Sequence, residues 1–565
     1  MESNFTRRNF IVGAAGTAGA ALAATAGLAS TDSVTSAVAA EAAAGTTSEA
    51  VDYFAALGDN MRGLPVPDKG WALMDDVEAL IAYESRIIDE SEITSTEECD
   101  VLVIGAGVSG MIATLKAAES GAKVLCCEKM ASGRNFWESA GGWNSASQRE
   151  QGIDTDPAVY ADTIIRAGDF RVRSENVWSF VRNSGTALDF LQEMLDESGS
   201  GIKVRCTNAD NDSVKGEHTF DVPNAESWLL GPYVMDALNA VAATRENVEV
   251  RVNTAGVQLV QDAEGRVTGA IIKDEEAGTY AKVSAAKGVI LSTGGYEMNP
   301  GMVKAWMRTE DYAYGGMCAL GTGCTGDGHM MGLAAGAGMD PIPHCPMDFG
   351  GSYPVNNDFF HMFYLDGIAV NARGERFMNE GLNAVDYFDY TANAINTNLT
   401  RGGVWTIIDQ AIVDACEYGG PEIVADYEAN DLCVKADTIE ELAEKLGVDA
   451  ARLAATVEKW NGYFDAAEPK DEEFLRDMSY ATALATPPFY AVKTCSTLLV
   501  TVSGLTIDPD SHVVDASDKV IPGLFATGNA SGGIFSGQYP RHLPSTSVGR
   551  AITTGFLAGQ AVVAE

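Results

Sequence analysis

Gly105, Gly107 and Gly110 are spaced as GxGxxG, directly after four apolar residues, Val101 to Ile104, and ahead of an apolar-periodic run. The chemistry this spacing serves is done by backbone. The first glycine permits a tight turn, the second lets the chain approach a pyrophosphate, and the third lets a helix pack closely on the strand. Ser109 lies inside the turn, at the helix start whose N–H groups can hold phosphate oxygens. A second strand, Lys123 to Cys127, ends at Glu128, an acid 23 residues after Gly105 and placed to accept from a ribose hydroxyl. Strand, turn, helix, strand and acid in this order predict a dinucleotide site in a Rossmann-type α/β domain.

The start of the chain speaks to where the protein works. Thr6-Arg7-Arg8-Asn9-Phe10-Ile11 precedes a Gly/Ala-rich apolar run to about Leu28, then a small-residue stretch with Ala37-Val38-Ala39. Paired arginines before a weakly hydrophobic run read as a twin-arginine export signal over residues 1–39, which places the mature protein in the periplasm or at the extracytoplasmic surface. The competing reading is an N-terminal membrane anchor, although Gly and Ala make a poor spanning helix. Twin-arginine export carries folded proteins, which suits a chain loaded with its cofactor in the cytoplasm.

Composition narrows the partners. Roughly 525 residues follow the signal, enough for two or three domains. The net charge of −41 disfavours nucleic acid and anionic membranes, and it disfavours long-range steering of small dianions. A solvated acidic surface accounts for it. The ten cysteines include no CxxC or CxxCH, so attached haem and the usual zinc or ferredoxin spacings are unsupported, and no metal is assigned. Cys318, Cys324 and Cys345 could meet in space, but their spacing names no cluster.

Along the chain, residues 40–97 read as a spacer and packing arm, followed by the first part of the nucleotide-binding domain over 98–341. Val248 to Val267 alternates in places, with a turn near Gly265, as a hairpin does. Residues 288–295, GVILSTGG, read as a buried strand ending in a glycine pair. Residues 342–484 change character, with many aromatics and acidic helices such as Ile439 to Leu446, and read as an inserted α+β capping domain that carries the substrate. Residues 485–565 return to the first domain. There Gly523 to Asn529 is another strand-to-glycine turn, and Thr546-Ser547-Val548-Gly549 opens a last helix. No internal repeat is visible.

Together these pieces resemble a family. Residues 99–150, 288–297, 325–328 (TGDG), 368–380 (IAVNARGERFMNE), 488–508 and 523–560 fall in the order of a large flavoprotein group. It contains fumarate reductases, the succinate dehydrogenase flavoprotein, urocanate-type reductases and 3-ketosteroid dehydrogenases. The resemblance implies FAD, extended across the Rossmann domain, with the cap closing over the isoalloxazine. It also implies that Glu128, Lys129, Ser139, Gly141, Gly142, Thr293, Gly294, Asp327 and Asn529 serve the cofactor. Ser547 and Val548 would open a helix aimed at the flavin N1/C2 carbonyl edge, where the dipole favours an anionic reduced ring. An ordinary glycine-rich loop is the other reading of residues 139–142.

Fumarate reductases clamp two carboxylates with histidines and arginines. At the corresponding positions this chain carries Gly321, Phe360, Phe363, Ala384 and Val500, so fumarate is not the expected substrate. The C-terminal segment is more similar to the ketosteroid dehydrogenases: Gly528-Asn529-Ala530-Ser531, then Tyr539-Pro540. By that resemblance Tyr539 polarises a substrate carbonyl, and its phenol would stabilise the charge developing on an enone oxygen or donate a proton. Packing of the cap against the flavin domain is the alternative role. Arg541 and His542 replace the small residues that follow the proline in the family. Arg541 reads as a carboxylate ligand, a proton donor or a structural ion pair, and His542 as a substrate contact or a structural residue. Phe359 to Tyr364 is unusually aromatic, so Phe363 and Tyr364, with Tyr353 as a second phenol, would line a pocket for a flat apolar ligand or simply fill the domain core.

The expectation is an exported FAD-dependent ene-reductase. It would move hydride from flavin N5 to an activated C=C bond of an enone or acrylate with an apolar or aromatic body. Its electrons would come from an external donor, a cytochrome or a flavin-carrying membrane protein. Two alternatives stand beside it: a 3-ketosteroid dehydrogenase running the same chemistry in reverse, and a FAD-bound binding or electron-carrier protein without catalysis.

Overall fold

The computed structural model describes residues 87–131, 136, 139–153, 156–207, 216–225, 230–308, 316–317, 323–350, 365, 367–381, 388–399, 401–417, 419–540, 543 and 545–565. The twin-arginine segment, Phe363, Tyr364, Arg541 and His542 lie outside them, as do Tyr353, Cys318 and all the fumarate-type positions except Val500.

The chain opens with β1 (Ile93–Ile104), α1 (Val108–Ala118) and β2 (Val124–Cys127). β1 starts five residues before the domain start expected at 98, because Ile93 to Ile104 form one long parallel ladder with the later strand Tyr280–Leu291. A small antiparallel sheet, β3 (Ser139–Gly141), β4 (Lys203–Cys206) and β5 (Glu217–Asp221), brackets the long helix α2 (Ser174–Glu197). After α3 (Gly231–Thr244) come β6 (Val248–Arg251), β7 (Thr254–Gln261), β8 (Val267–Asp274) and β9 (Tyr280–Leu291). The expected hairpin is present as β7 and β8, turned at 262–266. The first residues of the alternating stretch, Val248 to Arg251, instead pair in parallel with β2. A strand leaving a helix reaches a parallel neighbour more readily than an antiparallel one. The short helix α4 (Asp327–Ala334) follows the TGDG turn.

The chain then builds a second compact unit, within Asp348–Leu499. Its antiparallel sheet runs β10 (Ile368–Asn371), β11 (Val404–Asp409), β13 and β12, with β12 at Cys433–Ala436 and β13 at Phe489–Lys493. Helix α5 (Ile439–Leu446) is capped by the Thr438 hydroxyl and stopped by Gly447 at φ 72, and α6 (Ala450–Gly462) carries the buried Trp460. Arg376 and Glu380 of the VNARGERFMNE segment form a buried ion cluster. Arg376 Nη2 lies 2.6 Å from Glu380 and 2.9 Å from Asp471, with the guanidinium over the Trp460 ring.

β14 (His512–Val514), β15 (Val520–Ala526) and the final helix α7 (Thr546–Val562) return to the first unit, which spans the described parts of Asp76–Met307, Leu320–Met347 and Val500–Glu565. Its sheet reads β14-β15-β9-β1-β2-β6, with β8 and β7 attached to β9. Val101, Leu102 and Val103 are completely buried, as a parallel strand covered on both faces must be. α1 is buried all round apart from Lys116, which marks it as a core helix. Among the described residues no helix is long and apolar enough to cross a membrane.

Candidate active site

The glycine turn has the geometry its spacing requires. Gly105 has φ 100, and a Cβ there would sit 2.3 Å from the Ser292 carbonyl. A Cβ on Gly110 would sit 1.9 Å from the Gly105 oxygen, so helix and strand touch backbone to backbone. A Cβ on Gly107 would meet nothing within 4 Å: the turn opens into free space at the one glycine a pyrophosphate must approach. No side chain caps the first turn of α1, which leaves its N–H groups for a ligand.

Glu128, at the end of β2, faces this turn. Its carboxylate accepts from the Ala106 N–H at 2.9 Å and the Met130 N–H at 3.0 Å. Beside it, Lys129 Nζ donates to Asp327 at 2.7 Å and to the Thr325 hydroxyl at 2.5 Å. Burial pulls the Lys129 pKa down, but the Asp327 carboxylate outweighs it and the net shift is upward; burial raises Asp327, and Lys129 brings it below its usual range. This pair ties the TGDG turn to the end of β2, bringing together Glu128, Lys129 and Asp327 as expected for a shared site. Thr293 follows β9 beside Gly105; its buried hydroxyl faces Gly328 of α4 and has no hydrogen-bond partner in the protein, while Gly294 packs on Cys324. An open glycine turn at an uncapped helix start fits an extended dinucleotide.

The other end of the cleft is built from α7. It runs parallel to α1, pressed so closely that a Cβ on Gly555 would sit 2.3 Å from the Ser109 carbonyl and one on Gly559 2.6 Å from the Ala113 carbonyl. With that register, the start of α7 overhangs the start of α1 by eight residues, about 12 Å at 1.5 Å per residue. The overhang leads beyond the phosphate-binding end, along the carboxyl edge of the sheet where ligands bind in such folds. There the Gly141 N–H donates to the Ser545 carbonyl at 2.7 Å, and the Ser139 and Ser545 hydroxyls are hydrogen-bonded. Gly142 is packed tightly against Leu188. Ser139 and Gly141 are thus joined to the head of α7, while Gly142 is held by Gly216 and Leu188; all three are buried.

Tyr539 stands at that head. It is 3% exposed, its ring packs on Phe535 at 5.2 Å, and its phenol oxygen accepts the Ser547 N–H at 2.8 Å. A hydroxyl polarised by an N–H at a helix start is a stronger donor in turn. Val548, the next residue, is partly exposed.

Sequence reasoning missed the buried polar groups behind these residues. Arg550 is fully buried and donates to the Asn529 side chain at 2.6 Å and the Ser531 carbonyl at 2.8 Å. Glu297 is 1% exposed; Oε2 accepts from the Thr501 hydroxyl and N–H, Oε1 has no partner, and burial pushes its pKa up to about 7. Asp340 accepts from the Gly504 and Gly533 N–H groups, and burial raises it to about 6. His344 sits between the Tyr296 phenol at 2.7 Å and the Asp340 carbonyl at 3.0 Å, and burial lowers both it and His329 to about 4. Arg550 did leave a signal: it is the one charged residue of α7. Among the described residues no group of side chains could hold a metal ion.

A family described as the FAD binding domain matches the chain over residues 100–546. The chain belongs to this family. It is a FAD-dependent oxidoreductase of the superfamily that includes fumarate reductases and 3-ketosteroid dehydrogenases. It is 29% identical to the probable fumarate reductase Ifc3 of Shewanella frigidimarina, over 82% of this chain and 74% of that one. It is 26% identical to the vinyl phenol reductase of Lactiplantibacillus plantarum, over 82% of this chain and 95% of the relative. Its fold matches a 3-ketosteroid Δ1-dehydrogenase from Sterolibacterium denitrificans with a TM-score of 0.68 at 21% identity, over 83% of this chain and all of that one.

Proposed function

We propose that this oxidoreductase reduces an activated C=C bond in a small enone or acrylate with an apolar or aromatic body, using electrons from a separate protein. The observation that carries the reading is the Tyr539 phenol, held by the Ser547 N–H at the head of α7. FAD, when bound, supplies the hydride chemistry of its N5. Glu128 would hold the ribose, the start of α1 the pyrophosphate, and the head of α7 the flavin pyrimidine edge. Tyr539 hydrogen-bonds the substrate oxygen on which negative charge develops as the β-carbon gains hydride. The proton that completes the reduction reaches the α-carbon from Tyr539 or from Arg541.

Val500 puts an apolar side chain where fumarate reductases are expected to place a substrate histidine, which supports a substrate other than a dicarboxylate. The vinyl phenol reductase among the relatives is consistent with an aromatic body. The lack of a CxxCH in the sequence is consistent with a separate electron donor, and the twin-arginine residues support a reaction outside the cytoplasm.

The test is anaerobic. Protein reduced with dithionite is mixed with phenolic acrylates, urocanate, steroid enones and fumarate, and flavin reoxidation is followed. Rapid reoxidation by a non-dicarboxylate enone or acrylate is expected, with fumarate slow. Rapid reoxidation by fumarate alone overturns the substrate class, and flavin reduction by a saturated ketosteroid without reoxidation by any alkene overturns the direction.

A further inference from the structure

Arg550 presents an electrostatic problem that the protein alone does not solve. It lies four residues into α7, completely buried. Its Nη1 and Nη2 donate to neutral oxygens, Ser531 O and Asn529 Oδ1, its face covers the Phe535 ring at 5.0 Å, and Nε has no partner. No carboxylate among the described residues forms an ion pair with it. The acidic groups whose fields reach it are the Tyr539 phenol and then Asp340, whose oxygens are taken up by the Gly504 and Gly533 N–H groups. Burial lowers the Arg550 pKa to about 10, so the group remains a cation at neutral pH. A buried, unpaired cation is strongly unfavourable unless something in its surroundings becomes negative.

Its position says what that is. Side chains on a helix lean toward its N-terminus, and Arg550 reaches back to Asn529, in the glycine turn that packs on Ser109 of the phosphate-binding helix. The charge therefore lies behind the overhanging head of α7, on the same side as the helix dipole. The flavin ring is the one group at this end of the cleft whose charge changes during turnover.

We propose that Arg550 sets the redox potential of the bound FAD, its unpaired charge favouring the reduced, anionic ring. It is a positioning and electrostatic residue that touches neither substrate nor cofactor. The proposal rests on FAD binding and not on the substrate class, so it stands or falls separately from the reaction proposed above.

The experiment is spectroelectrochemistry on holoprotein, with FAD affinity measured in parallel. Arg550→Met is expected to lower the midpoint potential by about 60 mV, a hundredfold shift toward oxidised FAD at about 30 mV per tenfold for two electrons. Arg550→Lys, which keeps the charge and loses the fork, is expected to stay within threefold of the native value. Asp340→Asn, which removes the opposing field, is expected to raise the potential, and it serves if the methionine variant fails to hold FAD. An unmoved potential in Arg550→Met, an equal fall in Arg550→Lys, or no rise in Asp340→Asn overturns the proposal and leaves Arg550 as a brace for the Asn529 turn.

Discussion

The two ends of the cofactor cleft are made of different material. At the phosphate end most of the working groups are backbone: the 105–110 turn, the uncapped start of α1, and the two N–H groups that hold the Glu128 carboxylate. At the flavin end they are side chains: Asn529, Tyr539 and Arg550, backed by the buried Asp340 and His344 from an earlier part of the chain. Backbone cannot be altered by most substitutions and does not titrate. Side chains can be exchanged one at a time, so this is the end where a shared fold can acquire a new substrate, potential or pH response.

The sharpest way to break the contrast is to put atoms into the backbone end. Gly110→Ala would place its methyl 1.9 Å from the Gly105 oxygen, a clash of backbone with backbone that nothing flexible can relieve. We expect a loss of more than about 4 kcal/mol of stability and no soluble flavoprotein. Gly107→Ala adds the same methyl into open space. It should leave the apoprotein melting temperature unchanged while FAD affinity falls by about two orders of magnitude, because the methyl occupies the place of the pyrophosphate. Flavin content and apoprotein melting curves read the two effects separately. Equal damage from both would mean that the turn is merely crowded and not a phosphate cradle.

At the side-chain end a comparable substitution should spare the fold. Tyr539→Phe keeps the ring on Phe535 and removes the phenol oxygen that accepts from Ser547. FAD content should stay native while kcat falls about 10²–10³-fold, the cost of one donor aimed at a developing oxyanion. A kcat within threefold of native would leave Tyr539 as packing and move the proton and hydrogen bond to Arg541.

The contrast also separates what sequence could and could not reveal. GxGxxG and Glu128 are local: four positions within one strand-helix-strand unit, each with a physical reason to be what it is, and the structure assembles them in the expected order. The hairpin at 254–274 follows from a pattern of similar range. At the flavin end the contacts, not the spacing, carry the arrangement. Tyr539 and Ser547 were named separately, one by similarity to a motif and the other by a helix start, yet nothing in their spacing announces that one hydrogen-bonds the other. The hydrogen bond depends on the fold setting the Tyr539 phenol against the start of α7. Glu297 and Asp340 escaped because an acid after a glycine pair, or before a proline, looks solvated until the packing of residues 501–504 and 533 buries it.

Glu297 offers the finest discrimination, because it tests whether the polar side chains behind the cleft titrate as their burial implies. Its pKa is held near 7 in the fold against 4.5 when exposed. The folded protein therefore keeps a proton that the unfolded chain has already lost. This raised carboxyl costs nothing below pH 4.5, opposes folding increasingly as the pH rises to 7, and is constant above that. The full penalty is 2.5 units at about 1.4 kcal/mol each, or about 3 kcal/mol. Buried histidines held near 4 act in the opposite sense between pH 4 and 6.5, so the native profile alone hides the effect. The difference between Glu297→Gln and native protein isolates it. Denaturant unfolding should show the two equally stable near pH 4.5, with the variant gaining up to about 3 kcal/mol by pH 7.5. The Thr501 N–H and hydroxyl can still donate to the amide oxygen of glutamine, so their contacts survive the change. A constant difference across this range would mean that Glu297 is ionised throughout, its charge held by the Thr501 donors in spite of burial.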